Sequence, residues 1–127
     1  MWRTSSWKLK KLIVNLDSYF YYPMNREETI KAISEAFKKL PDGEAYLFGS
    51  SARGDFRDDS DIDLLVLLPD NLSSNERVEK QMDICGILFP IEMDTDIVIS
   101  PVMLQHKVWN QRITPFTINV MNERVKL

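Results

Sequence analysis

Residues 61–68 read Asp-Ile-Asp-Leu-Leu-Val-Leu-Leu, and Pro69 stops the run. The five apolar residues Leu64–Leu68 have the length of a β-strand and fall far short of the ~18 that a membrane span needs. A strand of this kind has to join a sheet, so the rest of the chain is read for what could pair with it and cover it. Residues 44–48, Glu-Ala-Tyr-Leu-Phe, form a short strand closed by Gly49-Ser50, and residues 92–99, rich in Ile and Val, form a third.

Helices fall between them. Asn25 with Glu28 three residues on makes a capping-box pattern. Ile30, Ile33, Phe37 and Leu40 follow at helical spacing, Lys38 and Lys39 sit in the expected last turn, and Pro41 and Gly43 end the segment. Ser73 with Glu76 starts a second helix whose apolar stripe reads Val78, Met82, Cys85 and Leu88. Ser100-Pro101 and Thr114-Pro115 each read as N-cap plus proline at the first helical position, which predicts two short closing helices. The predicted order is α-β-turn-β-α-β-α-α. That is an α/β fold with a small mixed β-sheet and flanking helices.

With 127 residues the chain makes one domain of ordinary size. The single cysteine, Cys85, excludes a disulfide framework within one chain and any cysteine-rich zinc site. The net charge of -3 argues against a strongly basic nucleic-acid binder, so no direct nucleic-acid binding is expected. The charge is uneven: residues 1–23 carry +3 and residues 24–127 carry -6. The lysines before Leu12-Ile13-Val14 suggest a signal peptide, but Asn15 and Asp17 interrupt the apolar stretch and no cleavage pattern follows. The expectation is a cytoplasmic protein with no membrane attachment. Residues 1–23 are read as an N-terminal extension outside the fold, and 24–127 as the domain.

The chemistry concentrates in Gly49-Ser50 and, after ten residues, Asp61-Ile62-Asp63. On a strand, Asp61 and Asp63 share a face. Two carboxylates side by side among apolar neighbours are unfavourable unless one is protonated or a divalent cation joins them. A Gly-Ser leaving a strand for a helical turn offers backbone N–H groups and a hydroxyl to a phosphate. The first lies at the C-terminal end of its strand and the second at the N-terminal end of the next. A shared site therefore requires the two strands to run antiparallel. On the third strand Asp94 and Asp96 share a face. Asp96 lies deeper, before Ile97-Val98-Ile99, and is the expected third carboxylate. Arg53 either serves the phosphates or pairs with Asp55, Asp58 or Asp59. His106 reads as a surface residue, Cys85 as core, and Trp109 as packing against the sheet or a partner.

Leu47-Phe48-Gly49-Ser50-Ser51-Ala52-Arg53-Gly54 followed by Ser60-Asp61-Ile62-Asp63-Leu64-Leu65-Val66 resembles the nucleotidyltransferase superfamily related to DNA polymerase beta. Within it, the small chain is similar to the minimal nucleotidyltransferase (MNT) family, and Met121–Leu127 resembles that family's closing segment. The resemblance implies the nucleotidyltransferase fold, with two Mg²⁺ ions on Asp61, Asp63 and Asp96, of which Asp96 would also be the base. It implies a nucleoside triphosphate held by Gly49, Ser50 and Arg53, with ATP the favoured donor. The residue after Gly-Ser is often Arg in the family and is Ser51 here, which leaves Arg53 and Arg57 as the basic residues near the phosphates. By the same resemblance the acceptor is a hydroxyl on a partner protein, in an antitoxin paired with a HEPN-domain toxin. Two other readings stay open: a small-molecule transferase of the aminoglycoside-modifying type, and a non-catalytic nucleotide-binding module.

Overall fold

The computed structural model describes residues 25–40 and 43–127. The N-terminal extension and Pro41 lie outside the described residues.

Helix α1 spans Arg26–Phe37 and is capped by Asn25, whose side chain accepts the Glu28 N–H while Glu28 answers the Asn25 N–H. Strand β1 (Glu44–Phe48) leads into a single turn of helix, α2 (Ser50–Arg53), and a polar loop. Strand β2 covers Ile62–Leu68. Helix α3 runs from Ser74 to Thr95, capped by Ser73 and Glu76 in a second capping box. Strand β3 (Ile99–Gln105), helix α4 (His106–Gln111), helix α5 (Pro115–Glu123) and the two-residue strand β4 (Val125–Lys126) complete the chain. Among the described residues, no helix is long and apolar enough to cross a membrane.

The strands form one mixed sheet in the order β3-β2-β1-β4. β2 is antiparallel to β1 and parallel to β3. Being central, β2 is covered on both faces, which accounts for its unbroken apolar run. Its even-numbered residues Ile62, Leu64, Val66 and Leu68 share a cluster with Ile33 and Phe37 of α1 and Ile84 and Leu88 of α3. Its odd-numbered Leu65 and Leu67 pack on the opposite face with Phe48, Trp109 of α4 and Val120 of α5. Trp109 therefore packs against the sheet. The pleat carries Asp61 and Asp63 onto that second face, at the end of the sheet where Leu65 and Leu67 stop.

Four local readings of the sequence are corrected. Residues 92–95 belong to helix α3, and the third strand begins at Ile99. Ile84, Leu88, Ile91 and Thr95 line one side of α3 at helical spacing, and that side faces the core. Pro90 sits inside this helix; its missing N–H would have bonded the carbonyl of Gly86, and both residues are exposed, so water can take the bond. Ser100-Pro101 does not cap a helix but lies within β3. β3 is an edge strand, where proline is tolerated. Cys85 is exposed, as are Val78 and Met82, because the buried stripe runs one residue away from the one they define. Lys38 and Lys39 lie just beyond α1, which ends at Phe37 with Lys38 as C-cap.

The placement of α3 predicts a contrast between neighbours. Ile84→Ala should cost about 2–5 kcal/mol in urea unfolding, as a fully buried side chain does. Cys85→Ser should stay within ~0.5 kcal/mol of the parent. The opposite order would return the core stripe to the Cys85 side.

Candidate functional site

The antiparallel register places Phe48 opposite Asp63. The next residue, Gly49, therefore turns directly over the Asp63 carboxylate. A Cβ built on Gly49 would lie 2.5 Å from Asp63 Oδ2, and the Gly49 φ of +72° is one that L side chains avoid. Only glycine lets the backbone pass this close. Gly49 also opens α2: its carbonyl accepts from Ala52 N–H at 3.1 Å and Arg53 N–H at 3.0 Å, while Gly54, at φ +87°, closes the turn. Thus Gly49 lies against Asp63, and Ser50 and Arg53 follow it on the turn of α2.

The two aspartates behave as a like-charged pair. Burial raises the Asp63 pKa, repulsion from Asp61 raises it further, and Arg53 opposes the change. Asp61 accepts a hydrogen bond from Ser100 Oγ at 3.3 Å, made possible by the parallel register that sets Ser100 beside Asp63. Carboxylate oxygens held together in this way suit a hard divalent cation such as Mg²⁺.

Asp96 is placed differently from the expectation. It caps the C-terminus of α3 in the left-handed region (φ 58°, ψ 24°), exposed, with its N–H on the Glu92 carbonyl. The segment it begins reaches β2 two residues later, where the Val98 carbonyl accepts the Ile62 N–H at 2.8 Å. Asp94 is on the last turn of α3. Among the described residues, no group of three His, Cys, Asp or Glu side chains is gathered tightly enough to hold an ion. The structure thus sets Gly49 against Asp63, with Ser50 and Arg53 following on α2, and places Asp96 at the C-terminus of α3.

Two residues that the sequence reading passed over shape this region. Arg26, in the first turn of α1, is buried. Its guanidinium donates to Ser51 Oγ (3.0 Å) and to the carbonyls of Arg57 (3.2 Å), Asp58 (3.4 Å) and Ser60, and lies 4.8 Å from the Phe56 ring centroid. It fixes the loop that joins the glycine turn to Asp61. Only its position 25 residues upstream of Ser51 hides it, since a charged residue in a first helical turn is ordinarily solvated. The second is Glu123, whose carboxylate accepts the Gly49 N–H at 3.0 Å and Arg53 Nη1 at 2.9 Å. The hydrogen bond from Arg53 holds Glu123 below the usual glutamate pKa, against partial burial. Arg53 also pairs with Asp55 at 3.2 Å. Arg57 contributes its backbone to the Arg26 contact and its N–H to Ser60 Oγ. His106, partly exposed, lies 3.5 Å from Glu44, away from this site. A cleft of about 380 Å³ opens beside Gly49, Arg53, Phe116, Asn119 and Glu123.

The nucleotidyltransferase domain family matches residues 27–126. A Methanocaldococcus jannaschii protein named "Putative protein adenylyltransferase MJ0604" is 31% identical over 104 residues, covering 79% of this chain and 95% of the relative. Similar solved structures include a toxin–antitoxin with AMP-PNP (24% identity, TM-score 0.45, 80% of this chain and 71% of that one). A variant of the toxin–antitoxin pair MntA–HpeT aligns in the same way (24% identity, TM-score 0.44, 82% and 72%). The chain belongs to the nucleotidyltransferase domain family.

Two substitutions test the architecture of the site. Gly49→Ala forces a Cβ against Asp63 at an unfavourable φ and should destabilise the domain by roughly 1–3 kcal/mol. Arg26→Lys keeps the charge and loses the planar fork, and should also cost about 1–3 kcal/mol. Urea unfolding measures both. A neutral result for either would mean that the loop does not depend on that contact.

Proposed function

We propose that this nucleotidyltransferase moves AMP from ATP to a hydroxyl on a partner protein, as an MNT-type antitoxin acting on a HEPN-domain toxin. The observation that carries the reading is the antiparallel register that faces Gly49 onto Asp63. It sets phosphate donors against carboxylates, the arrangement nucleotidyl transfer needs. In this proposal Gly49 N–H, Ser50 and Arg53 bind the phosphates, and Asp61 and Asp63 hold Mg²⁺. Asp96 is the third carboxylate and the base. Mg²⁺ bound there would lower the pKa of the attacking hydroxyl and neutralise charge on the α-phosphate and on pyrophosphate. The acceptor hydroxyl would give its proton to Asp96, its oxygen would form a new P–O bond at the α-phosphorus, and the bond from that phosphorus to the bridging oxygen would break as pyrophosphate leaves.

Two features favour a protein acceptor. The M. jannaschii relative is named for protein adenylylation. Phe116 of α5 lines the cleft and is exposed, and on another side of α5 the exposed Ile113, Ile118 and Met121 line a second hollow with Trp109, Ile113 at 84% exposure. Exposed apolar side chains on more than one side of the helix that borders the cleft fit a macromolecular partner better than a small polyhydroxyl molecule. The domain that does this is residues 24–127, with 1–23 an extension to it.

Three measurements check the proposal. With labelled ATP, Mg²⁺ and the neighbouring gene product, label should appear on that protein. Asp61→Asn, Asp63→Asn and Asp96→Asn should each abolish transfer while the chain stays folded; at Asp61 and Asp63 removing a like charge also relieves repulsion. Transfer that survives in Asp96→Asn but fails in Asp94→Asn would move the third carboxylate to Asp94. Label on a small hydroxyl compound and none on protein would replace the protein acceptor. A chain beginning at Met24 should melt within a few degrees of the full chain; a loss of several kcal/mol, the scale of deleting core side chains, would place residues 1–23 inside the domain.

A further inference from the structure

Two of the three groups that the proposed function gives to phosphate, Gly49 N–H and Arg53, are already satisfied by an anion of the chain itself. The Glu123 carboxylate takes the Gly49 N–H with one oxygen and Arg53 Nη1 with the other. It is carried there by the sheet. β4 pairs antiparallel with β1, Leu47 opposite Val125, and two further steps of that register bring Glu123 opposite Gly49. Leu127 N–H on the Ala45 carbonyl and the Arg124 guanidinium over the Tyr46 ring fix the same register. Helix α5 gives no local reason for a carboxylate at this position. Glu123 is its last residue, where the aligned backbone carbonyls disfavour negative charge. What holds the carboxylate is the pair of donors it meets across the cleft.

We propose that Glu123 is an internal occupant of the phosphate site, which an incoming polyphosphate must displace. Glu123 keeps Gly49 N–H and Arg53 aimed into the cleft while no nucleotide is present. On binding, the polyphosphate oxygens replace the carboxylate oxygens on those donors, and Glu123 swings out toward the Asn119 and Asn122 side of the cleft. Glu123 thereby sets the affinity of the site, lowering it by its own charge. This inference rests on the reading of the cleft as a phosphate site, and inorganic tripolyphosphate is the probe that separates the two.

Calorimetric titration of tripolyphosphate and of ATP, each with Mg²⁺, compares the parent chain with Glu123→Gln. Removing one competing charge of a partly exposed pair should tighten tripolyphosphate binding by about five-fold. Equal or weaker binding by Glu123→Gln, or no binding by either chain, overturns the proposal. Should Glu123→Gln fail to fold, the side-chain carboxyl ¹³C resonance of Glu123 in the parent chain gives the same answer. It should move on saturation with tripolyphosphate, its pKa returning toward that of an ordinary glutamate; an unmoved resonance at saturation overturns the proposal. Tighter tripolyphosphate binding with no nucleotidyl transfer would keep Glu123's role and remove the proposed function. Nucleotidyl transfer by the parent chain with no gain in Glu123→Gln would do the reverse.

Discussion

The site depends on one close approach, Gly49 over the carboxylate of Asp63. The approach follows from strand pairing, because Phe48 and Asp63 are register partners and the chain must turn immediately after Phe48. Any side chain at position 49 would collide with the carboxylate, and the positive φ adds a second reason for glycine. Once the approach is made, the rest follows by geometry. The turn of α2 begins there, Arg53 is thrown forward beside the aspartates, and a loop of limited length must return to Asp61.

That return loop is polar and would be mobile without a fastening. Arg26 supplies it from α1, and the α1 capping box fixes where that first turn begins. On the other side of the cleft, the closing strand β4 brings Glu123 onto the same glycine turn. The turn is therefore gripped from two directions, by a buried guanidinium behind it and by a carboxylate in front. The difference matters chemically. The guanidinium bonds backbone carbonyls and Ser51, groups to which the proposed function gives no ligand, whereas the carboxylate bonds two of the three groups that it assigns to phosphate.

Much of this was legible in the residues. The capping boxes at Asn25 and Ser73, the strand at 44–48 and the Thr114-Pro115 helix start are local signals that the structure keeps. The antiparallel pairing of β1 and β2 followed from asking Gly49-Ser50 and Asp61-Ile62-Asp63 to share one site. Residues 92–99 misled because Met93, Ile97, Val98 and Ile99 suit a strand, while the helical stripe of Ile84, Leu88, Ile91 and Thr95 runs through Pro90 in spite of it. That shift removed Asp96 from the strand and put Ser100 next to Asp61. Arg26 and Glu123 escaped notice for a different reason. Each acts through a contact of long sequence separation, which no window of local pattern contains.

The most direct test of the account replaces Mg²⁺ with Mn²⁺ in the presence of a non-hydrolysable ATP analogue and follows paramagnetic broadening of the backbone amides by NMR. The account predicts that Gly49, Ser50, Asp61, Asp63 and Ser100 broaden first and together. Broadening centred elsewhere, on α4 or along the exposed face of α3, would contradict the assignment of this cleft as the nucleotidyl-transfer site.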